Sequence, residues 1–186
     1  CGGTEKGTVI MTKLYLITGF LGAGKTTFLH QFVRLFPDRR TAIVVNEFGK
    51  QGVDGTLLED LDIKMEEINN GSIFCACKIE QFEDALLRLQ QENFDVIFVE
   101  ASGLSDPTAV GTILRQRDKF PDLEYAGAIC LVDGARFMTV YKTARVCRMQ
   151  LAISNMIIIN KCDIASREQL DEINTIVRAQ KPNRPT

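Results

Sequence analysis

Short, nearly continuous apolar runs recur along the chain at residues 14–18, 41–45, 94–99, 125–132 and 156–159. Runs of this kind fit strands of a parallel sheet covered on both faces better than strands with one wet face. The intervening stretches carry a helical period. Phe28, Leu29, Phe32, Val33 and Leu35 fall at helical spacing and Pro37 closes the segment; Ile79, Phe82, Ala85, Leu86 and Leu89 mark one face of a helix over 79–90. Residues 108–116 and 136–152 are also helix-compatible. A last helix runs from an N-cap at Ser166, with Gln169 completing a capping box, to about residue 180. Residues 63–68 read as extended, Asn69-Asn70-Gly71-Ser72 as a turn, and 46–58, rich in breakers, as a loop of functional length. Strand–helix alternation of this type predicts a three-layer α/β/α sandwich around a mostly parallel central sheet.

Length and composition narrow the class. A chain of 186 residues is enough for one compact domain, and 45% hydrophobic residues against 25% charged can build a core rather than a disordered chain. Lys and Arg total 22 against 24 Asp and Glu, for a net charge of −2, which argues against nucleic acid as a partner. No apolar run approaches the roughly 20 residues that cross a bilayer, and residues 1–13 lack a secretory pattern. The expectation is a cytoplasmic protein without a membrane partner. Residues 1–10, Gly-rich and preceding Met11, read as a tail, and residues 11–186 as the domain. Of six cysteines, Cys130 lies in an apolar run and Cys147 reads as structural, both small buried hydrophobes, while Cys75 and Cys77 are close enough to act together.

Three motifs carry chemistry. Gly19-x-x-x-x-Gly24-Lys25-Thr26 follows the first strand and opens the first helix, the arrangement of a P-loop, so the fold expectation sharpens to a P-loop NTPase. Its backbone N–H groups, from Gly22, Ala23 and Gly24 through Thr27, would wrap phosphates at a helix N-terminus. Lys25 would reach the β and γ phosphates, and the Thr26 hydroxyl would coordinate Mg²⁺. The plain alternative is a Gly-rich turn. Glu100 ends a strand ahead of Ala101-Ser102-Gly103, where a second Mg²⁺-orienting carboxylate belongs; otherwise it is a loop acid facing water. A backbone amide at Gly103 would sense the γ-phosphate. Asn160-Lys161-Cys162-Asp163 follows the last apolar run. The Asp163 carboxylate matches the N1–H and 2-amino donors of guanine, a pair that adenine lacks.

Together, Gly19-Phe20-Leu21-Gly22-Ala23-Gly24-Lys25-Thr26-Thr27, Val45-Asn46-Glu47-Phe48-Gly49, Glu100-Ala101-Ser102-Gly103-Leu104-Ser105-Asp106-Pro107 and Asn160-Lys161-Cys162-Asp163 resemble the ordered motifs of CobW-type GTPases. These are metallochaperone relatives of the nickel-insertion GTPases of hydrogenase and urease. The resemblance covers about residues 13–181. It implies GTP hydrolysis with Mg²⁺, coupled to handling of zinc, cobalt or a similar metal for a client metalloprotein or cofactor-assembly protein. It also implies that Asp54 is the switch acid that positions Mg²⁺ or the attacking water, and that Glu47 is a ligand of the transition metal. The family's Cys-x-Cys-Cys after Asn-Gly is altered here to Ser72-Ile73-Phe74-Cys75-Ala76-Cys77. Two thiolates are short of the four ligands of a closed zinc site, so Glu47, a water, a partner thiol or His30 would complete it; His30 reads more readily as a packed or surface residue of the first helix. A structural pair, a redox pair, or ligands shared across a homodimer are the alternatives for Cys75 and Cys77. The resemblance further implies a next strand and a C-terminal domain beyond residue 181; the expectation is a nucleotide domain given without that continuation.

A nucleotide-dependent activator or redox sensor acting through a partner protein is the competing reading. A small-molecule P-loop kinase is disfavoured by residues 160–163 and by the lack of an Arg-rich lid.

Overall fold

The computed structural model describes residues 11–45, 63–67, 76–104 and 106–180. Its elements are β1 (Thr12–Gly19), α1 (Lys25–Val33), β2 (Thr41–Val45), β3 (Ile63–Glu67), α2 (Ala76–Gln90), β4 (Val96–Glu100), α3 (Thr108–Ile113), β5 (Leu123–Asp133), α4 (Phe137–Thr143), α5 (Arg145–Ile153), β6 (Met156–Asn160) and α6 (Arg167–Gln180). The strands form one sheet in the order β3-β2-β4-β1-β5-β6, and every pairing is parallel.

Strand alternation sends Leu14 and Leu16 to one face and Tyr15 and Ile17 to the other. On the first face Leu16, Val99 and Ala128 pack with Phe82, Leu86 and Leu89 of α2 and with Val110 of α3. Farther along the same face Cys130 and Val132 meet Phe137 of α4, Cys147 and Leu151 of α5, and Ile173 and Val177 of α6. On the opposite face Ile17, Ile43, Ile129 and Leu131 pack against Leu29 and Val33 of α1. The expected sandwich is therefore present, with a sheet that is parallel at every described pairing. Among the described residues no helix is long and apolar enough to cross a membrane.

Several boundaries differ from the sequence expectation. Helix α1 begins at Lys25, inside the phosphate-loop motif, and ends at Val33. Leu35 is 68% exposed, so it does not extend the buried face. The stretch 136–152 is two helices, because Ala144 between them is extended (φ −101°, ψ 111°). The break redirects the chain so that Cys147, Gln150 and Leu151 of α5 all face inward. The capping box at α6 forms as expected: Gln169 N–H donates to Ser166 Oγ (3.2 Å), and Ser166 N–H donates to Gln169 Oε1 (2.8 Å).

Candidate functional site

A parallel sheet gathers the carboxyl ends of its strands along one edge, and the crevice outside that edge is where ligands bind in such folds. Register places Ile17 opposite Glu100 and Asp133 opposite Asn160, with Gly19 opposite Leu131. The residues that the sequence separates by more than 100 positions thus share one edge, centred on β1.

The loop between β1 and α1 enters the helix through Gly24, whose φ of 89° is left-handed and favours glycine. A Cβ at Gly24 would also lie 2.5 Å from Asn160 Nδ2. No side chain caps α1, and its first internal bond is Phe28 N–H to Gly24 O at 2.8 Å. The N–H groups of Lys25, Thr26 and Thr27 thus lie in the first turn, at the positive end of the helix dipole, where an anion is stabilised.

The Lys25 side chain folds back over this loop. It is 7% exposed, and its Nζ donates to Gly19 O at 3.1 Å. Burial pushes the ammonium below the ordinary lysine value, while Glu100 and the Cys130 thiol push it back up. A desolvated cation of this kind is a strong attractor for an anionic ligand. Beside it, Thr26 Oγ1 donates to Glu100 Oε1 at 2.9 Å, bringing a hydroxyl and a buried carboxylate together across 74 residues of sequence. Hydroxyl and carboxylate oxygens are hard donors of the type that Mg²⁺ takes.

The loop after β6 grips the other side. Asn160 Nδ2 donates to Ala23 O (2.9 Å), and Asn160 Oδ1 accepts the Lys161 N–H (2.9 Å). Lys161 Nζ donates to Gly22 O (2.7 Å) and to Asp133 Oδ2 (2.9 Å). Lys161 does this from a left-handed backbone, φ 59°, which costs about 1–2 kcal/mol for a residue with a side chain. Strain of that size is maintained when surrounding bonds hold the residue, as these do. Asp163 is exposed beyond this clamp.

Asp133 was not among the sequence candidates, although it ends an apolar strand just as Glu100 does. It accepts from the N–H groups of Ala135 and Arg136, each at 3.0 Å, as well as from Lys161. Burial raises its carboxyl pKa, but the Lys161 ammonium and these backbone donors outweigh burial and hold it below the usual aspartate value. A depressed folded-state pKa stabilises the fold above the ordinary aspartate value of about 3.9, and that stabilisation is lost as pH falls through the lower folded value. Asp133→Asn is therefore expected to lower the melting temperature at pH 7, with the gap to wild type closing in thermal melts run below about pH 4. A gap that stays constant down to pH 2 would contradict this role.

Gln150 is the second residue that sequence reasoning missed. Its only signal was an amide standing between apolar Cys147 and Leu151 on one helix face. It is fully buried, and its Nε2 donates to Gly103 O at 3.1 Å. Gly103 itself is buried against the phosphate loop.

Of the expected transition-metal ligands, Glu47 and Cys75 lie outside the described residues, as does the expected switch acid Asp54, and Cys77 falls in the first turn of α2. His30 is a half-buried residue of α1. Among the described residues no group of three or more His, Cys, Asp or Glu could hold a metal ion. Cys130 and Cys147 are buried as expected, and burial pushes the Cys147 thiol up to about 11, which keeps it neutral near pH 7. A cavity of about 220 Å³ lies behind the phosphate loop, lined by Phe20, Leu21, Cys147 and Gln150 among others.

The zinc chaperone YeiR of Escherichia coli (strain K12) is 34% identical over 161 residues, covering 85% of this chain and 49% of that protein. The zinc chaperone YjiA of the same organism is 30% identical over 175 residues, 90% of this chain and 55% of its own length. The chain thus spans about half the length of these curated relatives. The crystal structure of the Zn(II)-bound YjiA GTPase from E. coli superposes with a TM-score of 0.66 at 22% identity, covering 90% of this chain and 54% of that one. The hydrogenase maturation factor HypB from Archaeoglobus fulgidus gives a TM-score of 0.63 at 19% identity, over 93% of this chain and 78% of the other. At these identities the structural likeness establishes the fold. The profile described as CobW/HypB/UreG, nucleotide-binding domain, matches residues 13–186, and the chain belongs to that family.

Proposed function

We propose that this chain binds GTP with Mg²⁺ and hydrolyses it, and that turnover is coupled to delivery of a thiophilic transition metal, zinc foremost, to a client metalloprotein or cofactor-assembly protein in the cytoplasm. The observation that carries the reading is the uncapped N-terminus of α1 with a desolvated Lys25 over it, flanked by the Thr26–Glu100 pair and by the Asn160–Lys161 clamp. In this reading Lys25 leaves Gly19 O for the β and γ phosphates, and the first-turn N–H groups of α1 take the phosphate oxygens. Thr26 and Glu100 hold Mg²⁺, which when bound neutralises charge on the phosphates. Gly103 lies where the chain leaves β4, next to the loop, and supplies the backbone that senses the third phosphate. Asn160 and Lys161 keep the loop in shape, and Asp163 pairs with guanine. Asp54 orients the attacking water.

Zinc is proposed as cargo from the chemistry of Cys75 and Cys77, whose thiolates suit borderline metals better than they suit Mg²⁺, with Glu47 as a further ligand, and from the names of the relatives. Cys77 lies in the first turn of α2, so a switch segment that orders around the γ-phosphate and moves this helix would open or close the thiol site. Zinc titrated against a chromophoric competitor is expected to bind at least about fivefold differently in the presence of GDP and of a non-hydrolysable GTP analogue. Equal affinities would remove the coupling. The double variant Cys75→Ser, Cys77→Ser should lose that zinc while retaining nucleotide; unchanged zinc binding would remove the cysteines from the site and favour another reading of the pair.

A further inference from the structure

Gln150 has no packing reason to be polar. It is fully buried on the face of α5 that also carries Cys147 and Leu151, and a buried primary amide costs free energy unless its hydrogen bonds are made. An apolar side chain of the same length would fill the same space. The cavity beside it, also lined by Leu21 and Cys147, means that close packing does not by itself dictate where the amide points. The amide nitrogen is directed by its bond to Gly103 O.

Gly103 is pressed from the other side by the phosphate loop: a Cβ there would lie 2.6 Å from Leu21 N and 2.7 Å from Leu21 Cα. Two residues earlier, Ala101 N–H donates to Ile17 O of β1 at 2.9 Å. The segment leaving β4 is thus seated on β1, butted against the phosphate loop, and tied to α5. Because the peptide unit is planar and trans, fixing the Gly103 carbonyl toward α5 turns the Leu104 N–H the opposite way, away from α5. Glycine has the loosest backbone of any residue, so an external tie matters most at this position.

We infer that Gln150 is a positioning residue for nucleotide discrimination. Through the Gly103 carbonyl it orients the Leu104 N–H of the same peptide unit for contact with a third phosphate. This rests on the proposed GTP-binding function. When the N–H of a peptide donates to an anion, the carbonyl of the same unit becomes a better acceptor, so phosphate contact and the Gln150 bond strengthen one another. The same bond makes α5 responsive to whether the nucleotide has two phosphates or three.

The test uses the full chain and Gln150→Met, which keeps length and apolar volume but removes the donor. GDP affinity is expected to stay within about twofold of wild type. Affinity for a non-hydrolysable GTP analogue, and kcat for GTP, should each fall about five- to tenfold, the effect of one net hydrogen bond. An unchanged ratio of GDP to analogue affinity would overturn the inference, as would an equal loss for both nucleotides, which is what a purely structural role produces. If Gln150→Met does not fold, the wild-type protein decides. In ¹⁵N-glutamine-labelled protein the Gln150 side-chain NH₂ signal should shift downfield when GDP is replaced by the analogue; a signal that stays in place overturns the proposal. Failure of wild type to bind either nucleotide would count against the proposed function itself, and is read separately from these ratios.

Discussion

Replacing Lys25 by methionine is expected to slow GTP hydrolysis by on the order of 100- to 1,000-fold, the loss seen when one preorganised donor to developing charge is removed. The expectation comes from the environment of the amine. Its Nζ rests on Gly19 O, inside the loop that encloses the first turn of α1, and only 7% of the residue is exposed. Water screens it little, so its attraction for phosphate oxygens is far larger than that of a surface lysine. The carboxylate facing it, on Glu100, already accepts from Thr26, which leaves the ammonium's interaction with an incoming anion as the main new electrostatic gain. Methionine fills the stem's volume and removes a charge that burial disfavours, so the fold should survive. Single-turnover phosphate release checks the prediction. A variant that retains hydrolysis within threefold of wild type would mean that Lys25 does not face the transferred phosphoryl group.

Asp163→Ala is expected to erase the preference for guanine. Two hydrogen bonds to one carboxylate, each contributing about 1.5–3 kcal/mol, correspond to a loss of GTP affinity on the order of 100-fold or more. ATP affinity should stay nearly constant, because adenine presents no pair of donors to that carboxylate. Asp163 is exposed and makes no bond to the phosphate loop, so this variant separates base reading from phosphate binding. Its neighbours do the opposite: Asn160 and Lys161 bond the carbonyls of Ala23 and Gly22. Changes at those two positions should weaken GTP and ATP alike. Competition of GTP and ATP against a fluorescent nucleotide reads both effects, and a GTP-to-ATP ratio that survives Asp163→Ala would remove the base-reading role.

The sequence was most legible where local chemistry and periodicity agreed. The phosphate loop needed a strand before it and a helix after it, and Gly24 takes the left-handed backbone that the motif demands. Apolar runs located five of the six strands among the described residues, and a weaker extended signal over 63–68 marked β3. The Ser166–Gln169 box identified the start of α6 to the residue. Legibility failed where a side chain answers to a distant partner. Nothing in the run Leu131-Val132-Asp133 says that Asp133 will pair with Lys161, because that contact exists only once β5 and β6 lie side by side. Gln150 looks like a misplaced polar residue on an apolar helix face until Gly103, 47 positions away, is brought beneath it. The break at Ala144 is of the same kind. Local propensity favours one helix over 136–152, and burial of Cys147, Gln150 and Leu151 requires two.

The central claim is that the loop from β1 into α1 holds a triphosphate while the loop after β6 reads its base. Titration calorimetry of the wild-type chain with Mg²⁺ and either GTP or ATP tests it most directly. The account predicts saturable one-to-one binding of GTP with ATP at least about 100-fold weaker, a gap that Asp163→Ala closes. Equal heats for the two nucleotides, or none for GTP, would contradict it.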